Sequence, residues 1–561
     1  MLRQVLVLAL GFVTLVRSAV LVDFQVAQPP PLPQDAKQCT VKILERTFGF
    51  SFGEPEIVQF TPPTECGEPG SWAGISLNFT VTSNGTQFDR LGIFTFQNVE
   101  FWRTSTPEPT RGDGIIWTYL KDATRYIPLF AKPGTFILQL DNLLQTGLDG
   151  QYAITTLAND TGNDASVPPI FSLEVTVPRN TVQIYAELQA SGNGNEEFWY
   201  FNAPNQFVST IPTFGEGPFR EVRLLIDGQV AGVAFPYAVI FTGGIVPTAW
   251  RPITSYGALD LPTYFVDLTP FVPILTDGNP HNFSIDVVSA EADHTINQNW
   301  FVSGNLQVIT DPSGEPTTGN ITVLDVQPFA ETTTTGTIAP NGDVSFTVKA
   351  TRKIHVESTI ISGSGKTSHV VWSQNLEYSN TQHYINNSAI QLLDQTATGT
   401  FTSTLDGAST LVDEFSYPLN INITNLNPSG TSCKLSLRPI PNHDLDLLLS
   451  SCHRHRPFIR PTSHPAPFIL GSTIHNHQLS GGFFTIASTG NTGNGTSQNM
   501  FSYVDVAGNT YDREISSVNT NITSDHQGGT LAPKTVARFP SSQQPLTVAK
   551  ARLPGGRLIG H

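Results

Sequence analysis

An all-β fold is what this 561-residue chain predicts, and three observations carry that reading. Charged residues make up only 14% of it, while Gly, Pro, Phe, Thr and Asn are abundant. That balance suits strands and turns better than helices. Short apolar runs recur between turn signals at the spacing of a β-sandwich. Neither sustained helical heptads nor a repeat of fixed period interrupts them. The length allows three or four domains, each with its own core.

Taken in order, the chain opens on "MLRQVLVLALGFVTLVRSA", with Arg3, an apolar run from Val5 to Val16 and a small-residue exit at Ser18-Ala19. This predicts a signal peptide over residues 1–18, too short for a stable membrane span. No later stretch is apolar enough to cross a bilayer, and "ARLPGGRLIGH" lacks the tail of a lipid-anchor signal. A soluble protein, secreted or held in a secretory-pathway lumen, is expected. Sequons at Asn78, Asn84, Asn159, Asn282, Asn320, Asn386, Asn422, Asn494 and Asn521 predict a glycoprotein. The four cysteines divide by position into Cys39/Cys66 and Cys433/Cys452, which in an oxidising compartment predicts two local disulfides. A net charge of −16 argues against nucleic acid and anionic membrane as partners, since both need a basic surface.

Residues 19–178 read as a first sandwich, with strands in "KILERTFGFSF", "GISLNFTVTS", "RLGIFTFQNVEFW", "GIIWTYL" and "TFILQLDNLL". Residues 179–310 read as a second, with "TVQIYAELQA", "REVRLLIDGQVAGVAF", "TYFVDLTPFV" and "HNFSIDVVSA". A Pro/Gly/Thr-rich linker is expected over 311–320. The remainder, 321–561, reads as a further β-rich region. An insert near 434–465 stands apart there, carrying Lys434, Arg438, Arg454, Arg456, Arg460 and four histidines.

Several motifs fail on their context. "GSGKT" at Gly363–Thr367 lacks the upstream Gly of a phosphate loop and runs into a strand rather than a helix. "RGD" at Arg111–Asp113 reads as a turn. His475 and His477 have no neighbours to complete a metal site, and no G-x-S-x-G or H-E-x-x-H occurs. Neither a metal nor a cofactor is expected.

What remains is a set of acids among aromatics. "QFDRLGIF" places Asp89 and Arg90 before a strand, and "FWRTSTPEP" places Trp102, Arg103 and Glu108 at a strand end. "GNGNEEFW" supplies Glu196, Glu197 and Trp199; "TAWRPITSYG" supplies Trp250 and Arg251. Aromatic faces stack on a pyranose ring, and acids and arginines hydrogen-bond its hydroxyls and amide. Carboxylates in a partly dry cleft have separated pKa values, so one can act as acid while another stays ionised. Each residue also has a structural reading: an Asp-Arg pair fixes turns, and Trp in a sandwich packs cores.

In order, the strings "TFGFSFGEPEIVQFTPPTEC", "QFDRLGIFTFQNVEFWRTSTPEP", "KDATRY", "GNGNEEFW", "GPFREVRLLIDGQVAG" and "VIFTGGIVPTAWRPITSYGALDLPTY" resemble the acidic peptide-N-glycosidase A family of plants and fungi, here a fungal member. The likeness runs from about Phe24 to Val308 and resumes at "GFFTIASTGNTGNGTS". It implies hydrolysis of the amide between N-acetylglucosamine and an asparagine side chain in N-glycosylated peptides or unfolded glycoproteins. The products would be an aspartate-containing peptide and a glycosylamine. A more distant likeness to bacterial peptide-N-glycosidases implies two tandem jelly-roll-like sandwiches as the catalytic unit, with substrate between them. On this resemblance Asp89 and Glu197 are the catalytic pair. Arg90, Glu108, Asp141, Glu196, Trp199, Trp250 and Arg251 are the expected substrate-binding residues, with the choice between Glu197 and Glu196 open. Rival readings are a non-catalytic glycan-binding or cell-wall glycoprotein, and an acid endopeptidase or endoglycosidase.

Overall fold

The computed structural model describes residues 20–26, 37–146, 148–155, 165–167, 171–427, 432–435, 449–455, 471–485 and 492–532. The expected signal peptide, the Asn159 sequon and most of the 434–465 insert lie outside these, as do the side chains of Cys433 and Cys452.

The described residues are almost wholly strand and turn, as the composition predicts. A five-stranded sheet runs Leu21–Asp23, Ile115–Asp122, Ser76–Asn84, Gln151–Thr155, Glu45–Phe48. It faces a four-stranded sheet of Glu56–Phe60, Gly134–Leu140, Leu91–Phe96 and Val99–Ser105. Alternation sets the facing. Along Ser76–Asn84, Leu77, Phe79, Val81 and Ser83 are buried and the residues between them are not. Phe79, Phe94, Phe101, Trp102, Trp117 and Phe136 fill the space between the sheets. Phe94 stacks on Trp102 at 4.5 Å, and Phe79 meets both edge-on. Cys39 and Cys66 form a disulfide at this end of the molecule.

The second unit pairs a sheet of Ala165–Val167, Asn299–Thr310, Thr181–Asn193 and Thr263–Asp267 with one of Phe171–Val175, His281–Val288, Glu221–Ile226 and Gln229–Ala234. Buried polar groups cross between the two units, beside the apolar contact that Leu259 makes with the first core. Arg103 of the first grips both Glu100 oxygens at 2.8 Å. It also donates to Ser191 Oγ at 2.8 Å and the Phe301 carbonyl at 2.7 Å on the second. Tyr126 donates to Glu187 at 2.8 Å, and Lys121 reaches Asp260 at 2.6 Å. Such bonds fix register, because each buried donor left unmade would cost about 1–3 kcal/mol.

The remaining strands, from Thr318–Val326 to Asn521–Gly528, form one twelve-stranded sheet. Four of its strands are long: Val344–Ile361, Thr367–Ile385, Ile390–Leu405 and Ala408–Asn427. "GSGKT" is the tight turn between the first two, closed by Lys366 and Ser362 backbone bonds. The "RGD" stretch is likewise a turn, with Arg111 paired to Asp149. Along Thr367–Ile385 every second side chain turns inward: Trp372, Gln374, Leu376, Tyr378, Asn380, Gln382 and Tyr384. They share one core with the second sandwich. Most of the sequon asparagines, Asn78, Asn84, Asn282, Asn320, Asn386, Asn494 and Asn521, are exposed; Asn422 is half-buried. Among the described residues no helix is long and apolar enough to cross a membrane.

Candidate active site

Asp89 sits in the turn between Ser76–Asn84 and Leu91–Phe96. Hydrogen bonds hold that turn on both sides. Thr86 N–H donates to Asp149 at 2.8 Å, Gln87 donates to the Leu143 carbonyl at 3.1 Å, and Arg90 N–H donates to Thr106 Oγ1 at 2.8 Å. Arg90 turns its guanidinium to Gln87 Oε1 at 2.6 Å. The Asp89 carboxylate, half-buried, accepts the amide of Gly243 at 3.2 Å, a contact from the second sandwich. Burial raises its pKa; the Gly243 bond and the Arg90 charge pull the other way and do not cancel it.

The loop that brings Gly243 also brings Arg251. Thr242 Oγ1 donates to the Thr106 carbonyl at 2.7 Å, and Arg251 donates to the Glu108 carbonyl at 2.9 Å. Its guanidinium lies 3.8 Å from Glu108 Oε2. The Glu108 carboxylate packs against Gly243, where a Cβ would displace it. Glu108 is pushed up to about 7, by burial first and then by the neighbouring Asp89 charge, with Arg251 opposing.

Glu197 follows the long strand Thr181–Asn193 and a 3₁₀ turn at Gly194–Glu196. Gly192 permits that turn, since a Cβ there would strike the Glu196 carbonyl. Burial pushes Glu197 to about 8, with the charges of Asp89 and Glu108 adding to it. Three half-buried carboxyls, two from the first sandwich and one from the second, therefore lie close enough to perturb and repel one another. Such a set holds on to protons that isolated acids would release.

A scan against family models places this chain. Residues 29–159 and 153–327 match the family described as peptide N-acetyl-beta-D-glucosaminyl asparaginase amidase A, and residues 345–419 match that family's C-terminal domain. The chain belongs to this amidase A family. A curated relative, the peptide-N4-(N-acetyl-beta-glucosaminyl)asparagine amidase A of Prunus dulcis, is 30% identical over 420 residues, covering 67% of this chain and 71% of its own. Two solved structures, a peptide-N(4)-(N-acetyl-beta-D-glucosaminyl)asparagine amidase and the glycosylasparaginase PNGase F of Flavobacterium meningosepticum, each span 48% of this chain and 94% of theirs. Their identities are 14% and 15% and their TM-scores 0.29 and 0.28.

Within this amidase A chain the expected site residues divide. Asp89, Arg90, Glu108, Glu197 and Arg251 come together. Glu196 does not join them: it is fully buried, gripped by Arg220 through two bonds of 2.6 Å, and further held by Asn297 and Trp300. Burial pushes its pKa up, but the Arg220 charge and these bonds hold it below the usual range. Trp199 and Trp250 are 3% and 1% exposed, so neither presents a face to a sugar. Trp199 packs beside Trp300 in the core, and Trp250 donates its indole N–H inward to the Gly244 carbonyl at 2.8 Å. Asp141 accepts the Gly53 amide at 3.0 Å and pins a loop; its charge is not among those that shift Asp89, Glu108 or Glu197.

Sequence reading also missed residues. Asp23 is 1% exposed and pushed up to about 7 by burial, with the Arg251 charge opposing. A lone acid in the apolar run "VLVDF" was its signal. Gln87 and Gly243, which position Asp89, had none. No group of three or more His, Cys, Asp or Glu with metal-binding geometry occurs among the described residues. A cavity of about 1100 Å³ lined by Arg352, Lys353, Glu377 and Phe415 opens on the C-terminal sheet and includes none of the residues above.

Proposed function

We propose that this chain hydrolyses the amide linking N-acetylglucosamine to an asparagine side chain in N-glycosylated peptides or unfolded glycoproteins, with Asp89 and Glu197 as its base and acid. One observation carries the reading: the carboxyls of two sandwiches meet in unequal surroundings. Asp89 has an amide donor and a cation beside it, whereas every charge that perturbs Glu197 is negative. On that contrast we assign Asp89 the ionised role and Glu197 the protonated one.

Water bound at Asp89 gives up a proton to that carboxylate as its oxygen attacks the amide carbon. The charge developing on the carbonyl oxygen is met by Arg251, which the Glu108 carbonyl and carboxylate hold in place. Glu197 then protonates the departing nitrogen as the carbon–nitrogen bond breaks. The atoms balance as one water consumed, one aspartate side chain formed and one glycosylamine released. The setting is extracellular or a secretory lumen; the leader-like N-terminus, the exposed sequons and the Cys39–Cys66 disulfide support this.

The test is mass spectrometry of a defined glycopeptide. Conversion of the glycosylated asparagine to aspartate with release of the whole glycan is expected from the wild-type chain. Asp89→Asn should lower turnover about 10²–10⁴-fold without lowering the melting temperature. Glycopeptide bound but returned intact, one sugar left on the asparagine, or a cut peptide bond would each overturn the assignment, as would full turnover by Asp89→Asn.

A further inference from the structure

Glu196, Glu100 and Asp286 are buried with both oxygens bonded to an arginine. Asp23 is different. It is 1% exposed, and neither of its oxygens meets a hydrogen-bond donor among the described residues. Burying a carboxyl in this way costs stability and returns none, so a purely structural role does not account for it.

Its backbone leads to the site. The strand Leu21–Asp23 lies parallel to Ile115–Asp122, with Asp23 opposite Trp117. The chain then crosses to the loop that carries Arg251. Phe24 N–H donates to the Pro252 carbonyl at 2.9 Å, and Thr254 N–H donates to the Phe24 carbonyl at 2.9 Å. Alternation turns Phe24 to Ile253 and the C-terminal sheet, and leaves Asp23 on the face of Leu21 and Gln25, toward the first core. The Arg251 charge acts on it there. Arg251 itself is held from one element: its Nη2 donates to the Glu108 carbonyl at 2.9 Å, with the Glu108 carboxylate 3.8 Å away. Most of a guanidinium's five donors are therefore left without a partner among the described residues.

A guanidinium that meets charge developing on an amide oxygen works only when its plane is aimed there. We propose that Asp23 is the positioning residue that aims it: in the substrate complex Arg251 keeps the Glu108 carbonyl and takes the Asp23 carboxyl as a second acceptor. This rests on the function proposed above, and it assigns Asp23 a part in stabilising charge rather than in moving a proton. Burial pushes the Asp23 pKa up to about 7, with the Arg251 charge opposing. In acid it therefore accepts as a neutral group through its carbonyl oxygen and leaves Arg251 its full charge for the substrate. The free protein bears the unmade bond; the complex makes it.

The experiment measures kcat, KM and melting temperature at pH 5 for Asp23→Leu and Asp23→Asn, each alone and combined with Arg251→Met, on one defined glycopeptide. Asp23→Leu is similar in shape but has no acceptor. It should lose about 10-fold in kcat, with KM within about twofold and no fall in melting temperature. Asp23→Asn keeps a neutral acceptor oxygen and should stay within about threefold of the wild-type kcat. In the Arg251→Met background, Asp23→Leu should change kcat no further. Undiminished kcat in Asp23→Leu overturns the assignment. So does a loss that Asn does not restore, one that recurs in full without Arg251, or one that comes with a lowered melting temperature. If the wild type releases no glycan, the functional reading falls, and the link to Arg251 is judged by melts at pH 8. The folded pKa of Asp23 lies above its unfolded value, so its contribution to stability is lost as pH rises through about 7. Asp23→Leu should then raise the melting temperature, and by more beside Arg251→Met, which removes the charge that opposes burial. An equal rise in both backgrounds severs the link.

Discussion

Glu196 and Glu197 are neighbours in the chain, yet they belong to two regions with opposite electrostatics. In the region of Glu196, buried carboxylates are paired with arginines. Arg220 takes its two oxygens, and at the seam between the sandwiches Arg103 does the same for Glu100. In the region of Glu197, three carboxyls perturb one another, and the cations that offset them among the described residues are Arg90 and Arg251. Matched charges build a scaffold; unmatched ones hold protons at a pH where acids normally do not. A fold that left Asp89, Glu108 and Glu197 in conflict needed such a scaffold around them.

The sharpest way to break this comparison is to remove each glutamate's charge in turn. Glu197→Gln is expected to cost about 10²–10⁴-fold in kcat, since the departing nitrogen loses its proton donor. The raised pKa also fixes a stability effect. A carboxyl whose folded pKa lies above its unfolded value binds protons more tightly when folded, so its contribution to stability is greatest in acid and declines as pH rises from about 4.5 to about 8. Glu197→Gln should therefore melt higher than wild type at pH 8 and no higher at pH 4. Thermal melts at the two pH values check this.

Glu196→Gln should do the reverse. Its loss leaves the fully buried Arg220 without its partner, a defect that typically costs about 3–5 kcal/mol. The depressed pKa makes the Glu196 contribution present above the unfolded value near 4.5 and lost as pH falls below it, so wild type and variant should converge in acid. Denaturant unfolding at neutral and acid pH reads the difference. Equal losses of activity at equal stability in the two variants would dissolve the distinction between the regions.

A finer probe is Glu108→Gln. The Glu108 charge is one of the two that hold Glu197 at about 8. Removing it should let Glu197 ionise earlier and move the alkaline limb of kcat/KM down by about half a unit to one unit, with kcat in acid reduced less. A limb that stays in place would mean that Glu197 does not set it.

How much of this was legible in the sequence follows from what sequence encodes. The strand alternation of Ser76–Asn84 or Thr367–Ile385 is written residue by residue, so the all-β fold could be read directly. Asp89–Arg90 stood out as charges at the mouth of an apolar strand. The two tryptophans misled because a ring in a β-rich chain announces burial or stacking equally, and only packing decides. Nor could local sequence separate Glu196 from Glu197. Which one meets Arg220 depends on the 3₁₀ turn at Gly194–Glu196 and on a partner 24 residues away. The exposed Phe50 and Phe52 looked like ordinary strand residues in "KILERTFGFSF" until the turn that follows Phe48 displayed them.

The C-terminal sheet offered no chemistry in sequence, and its part in the site is mechanical. Gln382 donates to the Tyr200 carbonyl at 3.0 Å and to the Asn202 carbonyl at 3.3 Å, while Asn380 donates to Tyr200 at 3.0 Å. These amides clamp the turn immediately after Glu197 from behind. Thr248 Oγ1 likewise donates to the Asn494 carbonyl at 2.8 Å, backing the loop that carries Arg251. Gln382→Leu keeps the volume and removes both amide atoms, so the Tyr200 and Asn202 carbonyls lose that donor and Tyr384 and Gln391 lose that acceptor. We expect about 1–3 kcal/mol of lost stability and a fall in kcat of about threefold to tenfold, with KM nearly unchanged. The direction follows from position: the clamp lies behind the turn that follows Glu197, so it acts on where that carboxyl points. A KM that rose with kcat steady would show the sheet acting on substrate binding, and the clamp would have to be abandoned.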